Sequence, residues 1–276
     1  MPPAKPNLET REKFLPRTRK SSFADAIALF SAAVLVCIDL WRHANGPAAQ
    51  KRRMLLALII TTGFALVAWL ARGVDAGGAL AGSSVAFVLA SRDLRMFWVL
   101  LLVFAVTLLA TRTGKSRKKD LHTAEDSSGR TAAQVMANLG VAGFIVSLVP
   151  QNWPLLALSA LAEAAADTSS SEIGMAFPGK TVLLTSFKPV AQGVDGGISS
   201  KGTLAALVAA TTVAVTALLI RMVPVHYAGA IIFAGVLGSL VDSLFGALME
   251  RRNLLSNDMV NLLSTAAAVG LASILS

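Results

Sequence analysis

The chain has 276 residues, 54% of them hydrophobic, 15% charged and 6% aromatic, with a mean hydropathy of +0.64. Soluble domains carry about 25% charged residues, so an ordinary soluble enzyme, a disordered chain and a disulfide-stapled secreted fold are all disfavoured. A lone Cys37 excludes an intramolecular disulfide and a cysteine-based zinc site, and the net charge of +9 falls in short basic clusters between apolar runs, which fits membrane orientation better than nucleic-acid binding.

A helix needs about 20 mostly apolar residues to cross the hydrocarbon core. Nine stretches approach that length: Phe23–Leu40, Met54–Ala71, Ala76–Ala90, Met96–Ala110, Ala132–Val149, Pro154–Ala166, Thr203–Ile220, His226–Met249 and Met259–Leu275. They predict an all-α, polytopic helical membrane protein of about eight or nine transmembrane helices with polar cytoplasmic-side loops. Some stretches are short or polar. Phe23–Leu40 carries Asp25 and Asp39, Ala76–Ala90 is rich in Gly, Ala and Ser, and Pro154–Ala166 contains Glu163. Such helices persist by close packing, which small residues permit. No series of alternating strand-length segments suggests a β-barrel.

The tail before Ser21 holds Lys5, Arg11, Lys13, Arg17, Arg19 and Lys20, which places it in the cytoplasm. Its length and the acidic ends of the first apolar run argue against a cleaved signal peptide. The expected organisation is a flexible basic cytoplasmic tail over 1–22 and a single integral membrane domain over 23–276, in the cell's inner (plasma) membrane. Nine crossings put the Thr111–Thr131, Asp167–Gly202 and Glu250–Asp258 loops on the tail's side. The basic group Arg42, Lys51, Arg52 and Arg53 opposes this count, and the objection disappears if Phe23–Leu40 lies on the membrane surface.

Polar groups in or beside a span are costly and point to function, and here they gather in the second half. In LAEAAADTSSSEIG, Glu163 and Asp167 stand four apart, on one side of a helix; Ser171 and Glu172 follow. After Lys180 and Lys188 comes GVDGGISSKGT, whose Gly193, Gly196, Gly197 and Gly202 suit an anion-binding turn opening onto a helix. Asp195 in that loop is a candidate cation ligand. Asp242 sits in the apolar GSLVDSLFGALMERR, and Asn257, Asp258 and Asn261 stand at the mouth of the last helix. In GRTAAQVMAN, the residues Arg130, Gln134 and Asn138 recur at intervals of four as one polar stripe. Carboxylates, amides, Lys and Arg at one membrane face suit phosphoryl transfer, because magnesium takes oxygen ligands and shares them with phosphates. Each feature also has a plainer reading. Lys180 and Lys201 suit a solvated loop, the glycines suit turns, Gln134 and Asn138 suit helix-to-helix bonding, and the Lys115–Lys119 cluster suits topology or lipid headgroups.

ALAEAAADTSSSEIG, GVDGGISSKGT, VDSLFGA and NDMVN, in that order, together resemble the membrane family of plant phytyl-phosphate kinases, which has bacterial, archaeal and animal homologues and is long known as domain of unknown function ninety-two. RTAAQVMAN resembles its Arg-…-Gln-Val-…-Asn segment. The likeness runs from about Gly78 to the C-terminus.

The resemblance implies a kinase that converts an isoprenoid monophosphate, phytyl or another prenyl, into its diphosphate with a nucleoside triphosphate, CTP favoured, and magnesium. Its implied catalytic residues are Lys188, Asp167 and Asp242. Arg130, Gln134, Asn138, Ser171, Gly193, Gly196, Gly197, Ser199 and Gly202 would bind phosphate or nucleotide. Asp167, Glu172, Asp195, Asp242, Asn257, Asp258 and Asn261 would serve the metal. The partners expected are the lipid bilayer and an isoprenoid-phosphate lipid. Ser169 and Ser170, Glu250 and Thr131 depart from residues common in the family, and these departures bear on the substrate more than on the reaction. The alternative is a transporter or lipid-binding protein using the same polar cavity, although no duplicated halves are evident.

Overall fold

The computed structural model describes residues 22–44, 46–121 and 129–276. Nearly all of the basic tail expected over 1–22 lies outside them. Nine long helices follow the nine apolar stretches: α1 (Ser22–His43), α2 (Ala48–Leu70), α3 (Ala76–Arg92), α4 (Arg95–Arg112), α6 (Ala132–Leu148), α7 (Trp153–Ala176), α8 (Ser200–Leu219), α9 (Ala228–Leu248) and α10 (Asn257–Ile274). A short α5 (Lys115–Asp120) follows α4, within what reads in the sequence as a basic loop. Starts are set locally. Asp75 caps α3 by accepting from the Gly78 N–H at 2.7 Å, Thr131 and Gln134 form a reciprocal capping box on α6, and Ser199 and Ser256 cap α8 and α10.

Two expectations are corrected. The stretch Pro154–Ala166, too short for a span, is the core of a helix reaching Ala176, about 36 Å long at 1.5 Å per residue. Asp167, Ser171 and Glu172 therefore lie on α7 and not in a loop, because neighbouring helices bury this polar segment and leave its backbone no partner but itself. The real connection holds a small three-stranded antiparallel sheet within an otherwise all-α chain. Its strands β1 (Thr181–Leu183), β2 (Pro189–Val190) and β3 (Gly197–Ser199) run in the order β2-β1-β3. Register pairs Thr181 with Val190 and with Ser199.

Five helical stretches are long and apolar enough to cross a membrane: Phe23–His43, Ala48–Leu70, Arg95–Arg112, Ser200–Leu219 and Val225–Arg252. The helix α6 is apolar but shorter. Length and composition thus carry five of the expected eight or nine spans. Large apolar side chains such as Phe23, Trp41, Leu70 and Leu219 face outward, a surface that lipid would cover. The centre is α7, whose residues 155–166 are buried throughout. It packs against α4, α6, α8, α9 and α10. Alanines fill these contacts, and small residues let helix backbones approach closely where lipid gives no hydrophobic drive.

Successive helices alternate direction, so the α2–α3, α4–α6, α7–α8 and α9–α10 connections share one end of the bundle. Hydrogen bonds tie that end together. Asp75 N–H donates to Arg130 O at 3.0 Å, Arg130 N–H to Gly73 O at 3.2 Å, and Arg117 Nη2 to Gln192 Oε1 at 2.6 Å. The Gln192 amide in turn donates to Gly174 O and Phe177 O, each at 2.9 Å.

Candidate active site

Three acids meet within the bundle, towards that end. Glu163 and Asp167 lie one turn apart on α7, and Asp242 lies on α9. Close approach of α7 and α9 requires Gly238, where a Cβ would collide with the Glu163 side chain and stand 2.9 Å from Ala268 Cβ. From α10, Thr265 Oγ1 donates to Glu163 Oε2 at 2.6 Å and Ser264 Oγ to Asp242 Oδ2 at 3.2 Å. Amide orientation at Asn261, assigned from its surroundings, completes the set. Its Nδ2 donates to Asp242 Oδ2 and to Asn257 O, both at 3.1 Å, while its Oδ1 accepts from Asn138 Nδ2 at 3.2 Å. Glu163 is 1% exposed, yet its Oε1 has no hydrogen-bond partner. A buried acceptor without a partner is costly.

The electrostatic neighbourhood is wider. Asp167 feels Arg130, Glu250 and Glu172, and Asp242 feels Asp167, Glu163 and Glu250. Among the described residues no three of His, Cys, Asp and Glu converge tightly enough to ligate one metal ion. The donor set fits a magnesium held by one or two carboxylates with substrate phosphates and water completing its shell, and does not fit an all-protein cage.

A cavity of about 260 Å³ lies beside the acids, between α2, α3, α4 and α6. Arg72, Arg112, Lys115, Lys118 and Arg130 line one part of it; Phe64, Leu100, Val103, Phe104 and Leu139 are among its apolar walls. The stripe Arg130, Gln134 and Asn138 lines the cavity as the interval of four implies. Arg130 precedes α6 and is held there by a bridge to Val74. Gly78 makes that bridge possible, since a Cβ would sit on the Arg130 carbonyl. Asn138, also bonded to Gln134 O at 2.8 Å, touches the cavity on one side and Asn261 on the other.

The remaining expected residues are dispersed. Glu172 is buried, with Oε2 on Lys118 Nζ, and Lys118 also donates to Thr111 O at 2.6 Å and Ala110 O at 3.2 Å. Lys118 is 1% exposed, so it is not a surface headgroup contact. Ser171 Oγ bonds back to Asp167 O at 3.1 Å. Lys188 stands exposed between β1 and β2, and no hydrogen bond or ion pair joins its side chain to the acids. Gly193 and Gly196 have φ of 84° and 77°, and Gly196 with Asp195 abuts Gly246 and Ala247 on α9. Gly197 pairs within β3. Ser199 caps α8 through Gly202 N–H at 3.2 Å, and Gly202 lies against Ser170 O on α7. Asn257 and Asp258 open α10. Sequence reasoning singles out Glu163 without a role, reads Lys118 only as part of the Lys115–Lys119 cluster, and misses Ser264 and Thr265. The interval from Glu163 to Asp167 was the available signal for the first; the other three carry none.

The family described as integral membrane protein DUF92 matches residues 59–269. An uncharacterized membrane protein of Methanocaldococcus jannaschii is 33% identical over 221 residues, covering 77% of this chain and 90% of that protein. Protein PGR of Arabidopsis thaliana is 28% identical over 72% of this chain and 79% of its own. The chloroplastic protein VTE6 of the same plant is 27% identical over 68% of this chain and 62% of its own. No solved structure matches.

Proposed function

We propose that this chain, which belongs to the integral membrane protein DUF92 family, is a membrane kinase that converts an isoprenoid monophosphate into its diphosphate with a nucleoside triphosphate, CTP favoured. It is an integral, multi-pass membrane protein; in this reading all nine long helices cross, and the site end faces the cytoplasm. One observation carries the proposal. The basic-lined apolar cavity and the buried acids meet through Asn138, which lines the first and hydrogen-bonds to Asn261 of the second.

An oxygen of the lipid phosphate attacks the γ-phosphorus of the nucleotide. The new P–O bond forms as the bond to the β-phosphate oxygen breaks, releasing the nucleoside diphosphate. The acceptor is already anionic, so no covalent enzyme intermediate and no strong base are required. Arg130 would hold the acceptor phosphate against the acids, and Asn138 and Asn261 would fix its orientation. Lys188 and the Gly193–Gly197 turn, on the same end of the bundle, would supply donors for the nucleotide. Catalysis is then positioning plus charge neutralisation. Magnesium, when bound, would screen the nucleotide's phosphates, and Asp242 with Asp167 would hold it, Asn261 orienting Asp242 through its amide.

The test uses purified protein in lipid nanodiscs with magnesium, offering phytyl, farnesyl and geranylgeranyl monophosphates against CTP, ATP, GTP and UTP. Diphosphate formation read by mass spectrometry, and absent in Asp167→Asn, is the expected result. Silence over the whole panel from folded protein overturns the reading.

A further inference from the structure

The cavity has a shape that the reaction does not explain. α2 packs along α3, and it reaches α4 through aromatic rings: Phe64 meets Phe104 edge to face at 5.1 Å and Phe97 at 5.7 Å. Rings hold these two helices apart, and the space between them stays open. Its lining charges are Arg72, Arg112, Lys115, Lys118 and Arg130, with no acid among the lining residues. Arg112, at the end of α4, donates to Ala71 O at 2.7 Å and so closes the end of α2. The deepest residue of α4 in the lining, Leu100, lies about 18 Å down the helix from Arg112 at 1.5 Å per residue. One end is thus strongly cationic, and the end around Phe64, Leu100, Val103 and Phe104 is apolar. The volume lies just under the lower end of small-ligand pockets, about 300 Å³, which suits one hydrocarbon chain and not the two of a bilayer phospholipid.

We infer that this cavity seats the single isoprenoid tail of the acceptor, phosphate at the Arg72–Arg112–Arg130 end, and that Gly82 sets the length of tail accepted. The inference rests on the kinase reading for its occupant. Gly82 lines the cavity about 10 Å along α3 from its cap Asp75. A Cβ there would meet only Val135 Cγ1, at an ordinary 3.7 Å, so a larger side chain enters the cavity without forcing helices apart. Gly82 narrows nothing; any replacement narrows the path to Leu100 and Phe64.

The series Gly82→Ala, Gly82→Leu and Gly82→Phe is assayed with geranyl, farnesyl and geranylgeranyl monophosphates. The ratio of kcat/KM for geranyl over geranylgeranyl should climb along the series, reaching about tenfold or more in Gly82→Phe, the scale on which apolar pockets discriminate length. An unchanged ratio, or equal loss for every tail in protein of wild-type thermal midpoint, overturns it. A binding arm separates this failure from that of the kinase reading: native mass spectrometry with farnesyl and geranylgeranyl phosphonates, which cannot turn over. Retention of both by the wild type, with the longer lost first along the series, supports the tail site even if no nucleotide is consumed. Displacement of a co-purified bilayer phospholipid in Gly82→Phe, with phosphonate binding unaffected, assigns the cavity to bilayer lipid and overturns it.

Discussion

The two ends of the bundle both bury polar groups and do opposite things with them. At the far end, Asp39 on α1 is 2% exposed, and both its oxygens are engaged. Ser91 Oγ donates to Oδ2 at 2.7 Å, and His43 Nδ1 lies 3.3 Å from Oδ1 and 2.8 Å from the Asp39 carbonyl. Around it, Arg42 reaches Ser147 O, Arg53 reaches Arg92 O at 2.8 Å, and Arg92 stacks over Trp153. At the site end a buried carboxylate oxygen of Glu163 is left unbonded, three acids crowd together, and a cavity lies alongside. A closed network holds helices in place. An open one of like charges stores unfavourable energy that a cationic ligand relieves, and such local violations mark function.

The sharpest way to break this contrast is at a closed, buried ion pair of the site end. Lys118→Met removes the counter-charge of buried Glu172 and should cost about 3–5 kcal/mol of stability, as breaking a buried pair does. Chemical unfolding in detergent micelles measures it. Lys118→Met with Glu172→Leu should recover most of the loss, and failure to recover would mean that Lys118 acts through its carbonyl contacts alone. The open acids should behave in reverse. Asp242→Asn should lower turnover by about 10²–10³-fold, the scale for lost transition-state electrostatics, while its unfolding midpoint holds or rises because like-charge crowding is relieved. A fall in both would make Asp242 a structural residue.

The sequence made the same contrast only half legible. All nine helices follow from apolar runs, and the Arg130–Gln134–Asn138 interval placed a polar stripe on the cavity, because both are local patterns. The end of α7 was hidden. Asp167-Thr-Ser-Ser-Ser-Glu172 consists of residues that bond their own backbone and favour turns, and only burial by five neighbouring helices makes it helical. Pairings across the fold were hidden too. Lys118 meets Glu172 from 54 residues away and Thr265 meets Glu163 from 102, separations at which no spacing rule operates. A basic cluster looks the same whether its lysine is solvated or buried.

At the far end the effects should be smaller and confined to stability. Ser91→Ala leaves an oxygen of buried Asp39 without its donor and should cost about 1–3 kcal/mol, with kcat/KM of the folded fraction unchanged. A change in turnover there would mean that the ends are coupled and would revive a path through the membrane, as a transporter requires.

The smallest effect belongs to Asp93, in the turn between α3 and α4. Partial burial by itself raises its carboxyl, but hydrogen bonds from the Arg95 side chain and backbone outweigh this and hold it below the ordinary aspartate value. Arg95 in turn donates to Arg221 O at 2.7 Å, clasping this turn to the end of α8. A depressed folded value means that the stabilisation is fully present above the unfolded value of about 3.9 and is lost as pH falls through the folded one. The Arg95 side chain is 46% exposed, so screening limits the gain to a fraction of about 1 kcal/mol. Asp93→Asn should therefore lower the unfolding midpoint slightly at pH 7, and the difference should vanish once the pH falls below the folded value of Asp93. A difference that persists at low pH would show that the hydrogen-bond geometry of the turn, and not the charge of Asp93, holds α8 to the far end.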